Sequence, residues 1–192
     1  AYGLASPHHA LGRAIAIFDE NAPSVTGLGE KTSHNIGRIG GGTSVNSIPF
    51  ESWAEVDMRS GSQDKLDDID AILKAAAEQA LQEENEGRLS GPELTVEIKR
   101  VGTRPAGIQN LATPVIQRAM ATTIAFGIEP NLRISSTDSN LPISKGVPAV
   151  TMSRGGVSSG SHSPDEWWQN LDGHIGIQIG LVTLLAEAGL DP

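Results

Sequence analysis

The apolar positions of this 192-residue chain change period several times, and each change marks an element. Between His8 and Glu20, Leu11, Ile15 and Phe18 recur at i, i+4 and i+7, which predicts an amphipathic helix opened by Ser6-Pro7. A polar, glycine-rich loop follows over 21–31. Residues 33–40 and 53–59 then read as strands. In the second, Ala54, Val56 and Met58 alternate with Glu55, Asp57 and Arg59, so one face is buried and the other wet. From Gln63 to about Glu86 the helical spacing returns through Leu66, Ile69, Leu73, Ala76 and Ala80. Over 93–101, Leu94, Val96 and Ile98 alternate with Thr95, Glu97 and Lys99 and predict a further strand.

The order helix, strand, strand, helix, strand is that of a ferredoxin-like βαββαβ motif with its first strand absent. That strand ordinarily lies inside the sheet, so its loss leaves unpaired backbone groups beside the last one. Beyond Arg104-Pro105-Ala106-Gly107 the pattern becomes α/β. A helix is expected over 113–126, with Thr113 as N-cap, Pro114 in the first turn and Gly127 as terminator. Short strands are expected at 132–135 and 149–153, separated by the polar turn 136–140, and a Gly/Ser loop spans 155–164. The last helix, 173–188, is apolar nearly all round and should be enclosed in a core. The expected class is therefore α/β, with an α+β module over 1–103 and part of an α/β domain over 104–192.

Charge sharpens the division and removes some partners. Residues 1–103 carry 9 basic and 16 acidic side chains, and residues 104–192 carry 5 and 7. The total of −9 repels phosphate backbones, so neither nucleic acid nor an anionic membrane is an expected partner. With no cysteine, a disulfide framework, a thiolate nucleophile and Cys-ligated metal are excluded. The apolar run 175–185 is broken by Gln178 and Gly180 and falls short of a bilayer crossing. The first residues show no basic or apolar leader segment, and a cytoplasmic protein is expected.

The five histidines are the first candidates for chemistry. His8 and His9 are adjacent on a helix, point about 100° apart and cannot face one metal together, so solvated or half-buried imidazoles are the plainer reading. His34 has no evident partner, and His174 opens a helix. His162 differs, standing at the end of the Gly/Ser loop after an expected strand, where open α/β sheets bind ligands. One histidine does not make a zinc site. Asp165 and Glu166 suit a first-turn acidic cap and could also orient the His162 ring. Asp67-Asp68 and Glu83-Glu84 read as a solvated helix face. Gly40-Gly41-Gly42-Thr43-Ser44 lacks the lysine of a phosphate-binding loop, and no Gly-x-Ser-x-Gly elbow occurs.

Several blocks in order resemble the M20 family of metallopeptidases. Residues 35–49 (Asn-Ile-Gly-Arg-Ile-Gly-Gly-Gly-Thr-Ser-Val-Asn-Ser-Ile-Pro) and Ala54-Glu55-Val56-Asp57-Met58-Arg59 resemble the family's dimerisation lid. Residues 104–107, 135–142, 146–151 and Ser161-His162-Ser163-Pro164-Asp165-Glu166-Trp167 resemble the C-terminal part of its catalytic domain. The resemblance implies amide hydrolysis of a peptide or N-acyl amino acid at a one- or two-metal centre, usually zinc. A metal-bound water would be the nucleophile and a glutamate the general base.

By the same resemblance His162 matches the last metal ligand and Asn46 the lid asparagine that approaches substrate. Arg104 and Arg59 match arginines associated with the substrate carboxylate, for which a guanidinium fork is apt. For Arg59 the plainer alternative is an ordinary strand-face ion pair. The family's His-x-Asp segment and Glu-Glu base segment have no counterpart here, and the lid's first strand should lie before Ala1. The expectation is thus an inactive C-terminal portion that does not itself retain the metal, homodimeric through its lid. The rival expectation is a non-catalytic, lid-like interaction module.

Overall fold

The computed structural model describes residues 3–189, and the chain divides into two compact units between Ala106 and Gly107. It is a mixed α/β protein with small antiparallel sheets.

The first unit begins with α1 (Pro7–Asn21) and a single turn, α2 (Pro23–Thr26). Strands β1 (Thr32–Gly41) and β2 (Ser52–Ser60) form an antiparallel hairpin, and α3 (Gln63–Glu86) returns along it. Pro7 starts α1 because its missing N–H is one the first turn does not need. Ser62 caps α3 by accepting from the Lys65 N–H at 3.4 Å. The apolar stripes of both helices meet the inner face of the hairpin. Phe18, Ala22, Val25, Ile69 and Ala76 form the centre, against Ile36, Val56 and Met58. Phe18 and Ile69 are wholly enclosed, each contributing about 1.5–3 kcal/mol by burial.

His34 lies on the same inner face. Its ring meets Phe18 edge-on at 4.8 Å, and its Nε2 stands 3.9 Å from Asp19 Oδ1, so the imidazole that lacked an evident partner in the sequence has two. A bulge between Ile36 and Arg38 sets Arg38 opposite Glu55 on the open face. There it bonds that carboxylate at 2.9 Å and stands 5.4 Å from the centre of the Trp53 ring.

The expected strand over 93–101 does not form. Residues 88–112 carry no helix or strand, and Asn85 instead grips Leu94 at both backbone groups, donating to its carbonyl at 3.0 Å and accepting its N–H at 2.8 Å. A side-chain amide thus takes the place of a neighbouring strand at that residue. Val96 and Ile98 alternate as a strand would but remain 44% exposed, because alternation without a ladder partner does not make a sheet.

The second unit contains α4 (Pro114–Ala125), a short α5 (Asn140–Ser144), a hairpin of β3 (Val157–Ser159) and β4 (Trp167–Gln169), and α6 (Gly173–Ala188). Helices α4 and α6 appear where the pattern placed them. The expected strands at 132–135 and 149–153 do not. At Ala149 the device seen at Leu94 recurs: Gln109 accepts the Ala149 N–H at 3.0 Å and donates to its carbonyl. The last residue of the expected polar turn, Asn140, opens α5 and accepts from the Thr137 N–H at 2.6 Å. The β3–β4 hairpin had no signal beyond its Gly/Ser and Trp residues. Helix α6 is not enclosed. Ile179 and Thr183 are buried, whereas Ile177, Leu181 and Leu184 are exposed. Among the described residues no helix is long and apolar enough to cross a membrane.

Candidate functional site

A groove of about 750 Å³ opens where α1 begins, walled by Leu4, Ser6, His8 and His9 on one side and residues 41–49 on the other. The second wall is the first part of the long loop that joins β1 to β2. Gly41 (φ 126°) and Gly42 (φ 74°) turn the chain out of the ladder, in backbone conformations that side chains with a Cβ rarely adopt. Space is short there as well. A Cβ on Gly41 would lie 2.4 Å from the Glu51 carbonyl oxygen, and one on Gly42 would lie 2.8 Å from His8 Nε2.

Asn46 stands in this wall. Its Oδ1 accepts from Ser44 Oγ at 2.6 Å, which commits the oxygen and leaves the amide donors for a ligand. The Ser47 N–H donates to the Ser44 carbonyl at 3.3 Å and closes the turn beneath it. On the opposite wall, His8 Nδ1 hydrogen-bonds Ser52 Oγ at 2.8 Å.

Behind the α1 wall lies Glu84, 8% exposed, reaching across from α3. Its Oε1 accepts the Ser6 N–H at 2.8 Å, its Oε2 accepts from Arg13, and His9 Nδ1 stands 3.7 Å away. The carboxylate therefore satisfies the N–H of the N-cap residue itself and sets a negative charge at the start of α1, where the Ser6 hydroxyl makes no cap. Burial pushes the Glu84 carboxyl up, but the Ser6 N–H, Arg13 and His9 together outweigh it and hold it below its ordinary value. In the sequence Glu83-Glu84 read as a solvated pair. Glu84 is instead the buried tie between two helices, a role with no local signal because its partners lie 71 and 78 residues away.

Of the four site residues expected from the sequence, Asn46, Arg59 and Arg104 lie in the first unit, and Asn46 and Arg59 are not brought together. Arg59 is seven steps beyond Ser52 on β2, about 23 Å at ~3.3 Å per residue. It faces the open side of the hairpin, where its Nε donates to Asp57 Oδ2 at 2.6 Å. The groove lies at the start of α1, whereas Arg59 adjoins Met58, the register partner of His34, which meets Phe18 eleven residues beyond Pro7. Asn46 and Arg59 therefore lie toward opposite ends of the hairpin. Arg104 is exposed in the irregular stretch that closes the first unit.

In the second unit His162 is exposed in the loop between β3 and β4, with a left-handed backbone (φ 66°) uncommon for a residue with a side chain. Its N–H donates to Glu166 Oε2 at 3.2 Å, so Glu166 holds the backbone of the loop. Among the described residues no three His, Asp or Glu side chains stand close enough together to hold a metal ion. The donors present therefore do not amount to a metal centre, which takes three or four protein ligands.

No curated protein shows significant similarity to the chain. Residues 3–85 match the family model described as the peptidase dimerisation domain, of the M20 type. That stretch takes in both groove walls and the helices behind them, and over it the first unit is similar to the dimerisation lid of M20-family peptidases.

Proposed function

We propose that this chain is the lid and the C-terminal part of the catalytic domain of an M20-type metal-dependent hydrolase acting on the amide bond of a peptide or N-acyl amino acid. The observation that carries the reading is the dimerisation-domain match over 3–85, with Asn46 in the wall of a groove inside it. In this reading the lid pairs two copies of the protein and Asn46 donates its amide to substrate. Arg104 binds the substrate carboxylate, and His162 is one ligand of a divalent metal, zinc by family habit. The metal would activate water and polarise the scissile carbonyl. The remaining ligands and the general base belong to polypeptide outside these 192 residues, so the chain alone hydrolyses nothing. Arg59 is left to its strand-face pair with Asp57.

The test is to express the whole encoding reading frame and measure its bound metal and its hydrolysis of dipeptides and N-acyl amino acids, with and without His162→Ala. Upstream His-x-Asp and Glu-Glu segments are expected, with both metal and activity lost in the variant. A frame without those segments leaves an interaction module and no enzyme. Undiminished metal in His162→Ala removes that residue from the ligand set. Arg104→Ala is expected to raise KM for carboxylate-bearing substrates about tenfold, and an unaltered KM counts against its role.

A further inference from the structure

We propose that His8 is a positioning residue: its imidazole latches the mouth of the β1–β2 hairpin and thereby sets where Asn46 stands. The second half of that statement rests on the substrate role proposed for Asn46. The latch itself rests on geometry alone.

Gly41 and Ser52 are the last paired residues of the hairpin, and everything between them is loop. A ten-residue connection with no ladder of its own is loose unless something outside it holds its base. Two inner ties, Ser44 to Asn46 and Ser47 to Ser44, shape the tip but do not fix the tip to the body of the unit.

His8 supplies that link. Its Nδ1 bonds Ser52 Oγ at 2.8 Å, and Ser52 Oγ in turn donates to the Gly40 carbonyl at 3.4 Å, so one imidazole engages β2 directly and β1 through Ser52, within the last two rungs. The ring also fills the space beside Gly41 and Gly42. A Cβ on either would meet it, at 3.1 Å from Cε1 and 2.8 Å from Nε2.

The latch has a firm footing. The first turn of α1 is tied to α3 through Glu84, which accepts from Ser6 and Arg13, so the helix end that presents His8 is itself anchored. A continuous path therefore runs from α3 through Glu84, the start of α1 and His8 to the loop that carries Asn46. The adjacent His9 turns about 100° away, toward Glu84, and does not share this task.

The test is amide hydrogen exchange on the full chain, comparing wild type with His8→Ala, Ser52→Ala, the double variant and His8→Asn. The latch predicts that each alanine variant speeds exchange over 42–51 three- to tenfold, the range that one net hydrogen bond supplies. Exchange around Phe18 and Ile69 should stay unchanged. The double variant should go no further than either single one, and His8→Asn, whose Nδ2 can stand near the position of Nδ1, should restore most of the protection. Unchanged exchange over 42–51, or additive effects of the two alanines, overturns the latch.

In the full-length enzyme, His8→Ala should raise KM more than it lowers kcat, and adding it to Asn46→Ala should cost nothing more. If exchange rises while KM stays put, the latch stands and the substrate role of Asn46 falls.

Discussion

In the first unit Phe18, Ala22 and Ile69 are wholly enclosed, although α1 and α3 carry only a stripe of apolar residues among many charges. In the second unit α6 is apolar on nearly every side, yet Ile177 is 71% and Leu184 64% exposed. The richer sequence is the less buried. The difference lies in neighbours: each apolar stripe of the first unit finds both a helix and a sheet face, whereas α6 packs on α4 and offers more apolar surface than α4 covers. Hydrophobic residues stabilise only through what they touch, so apolar content predicts the demand for burial and not its supply.

The largest expected effect tests that contrast directly. Phe18→Ala should destabilise the first unit by about 3–5 kcal/mol, and Ile69→Ala by about 2–5 kcal/mol, because each leaves a cavity in a closed core. Ile179→Ala, at the 6%-exposed contact of α6, should cost less, about 1–2 kcal/mol, since the open surroundings can collapse. Denaturant melts followed by exchange of each unit would show it, and equal losses would mean that the second core is as closed as the first.

Glu84 comes next. Its carboxyl is held below its ordinary value in the folded state. Its stabilisation is therefore complete above the unfolded carboxylate range near pH 4.3 and is lost as pH falls through the lower folded value. Glu84→Gln should cost about 1–2 kcal/mol at pH 7, modest because Arg13 is 44% exposed and solvent screens the pair. The same variant should flatten the acid limb of the first unit's stability. An acid limb identical to wild type would show that Glu84 titrates alike in the folded and unfolded chains.

How much of this was legible in the sequence follows the reach of the interaction involved. The helices α1, α3, α4 and α6 were found within a residue or two because periodicity and start signals such as Pro7 and Pro114 act within a turn. The hairpin strands were legible for the same reason. Strands expected at 93–101 and 149–153 failed because alternation states what a strand would bury, and not whether a ladder partner exists. In their place Asn85 and Gln109 each satisfy one residue's backbone, at Leu94 and at Ala149. The groove was half legible. Asn46 was singled out through a resemblance, whereas His8, read as a solvated or half-buried imidazole and indeed exposed, gave no sign of its bond to Ser52, 44 residues away. Glu84 escaped for the same reason.

A smaller effect is expected on the exposed face of α6. Replacing Ile177 and Leu184 by Gln should leave the stability of the chain within about 0.5 kcal/mol of wild type while reducing self-association in light scattering. Loss of stability beyond about 1 kcal/mol would show that these side chains are covered in solution and would narrow the contrast between the units.

The smallest expected effect is at Arg59, and it decides between two readings of the hairpin. If its guanidinium serves only Asp57 on the open face, Arg59→Ala costs under about 1 kcal/mol, as exposed pairs do, and leaves KM of the full-length enzyme unchanged. If Arg59 binds a substrate carboxylate, KM rises about tenfold. Given the roughly 23 Å between the groove end of β2 and this residue, that substrate would not be the one held by Asn46 of the same lid. A raised KM would then require Arg59 and Asn46 to come to one substrate from two different copies of the lid. Mixed dimers, with Arg59→Ala in one copy and Asn46→Ala in the other, would reveal this, since one of their two sites would keep both residues intact and the other would lose both.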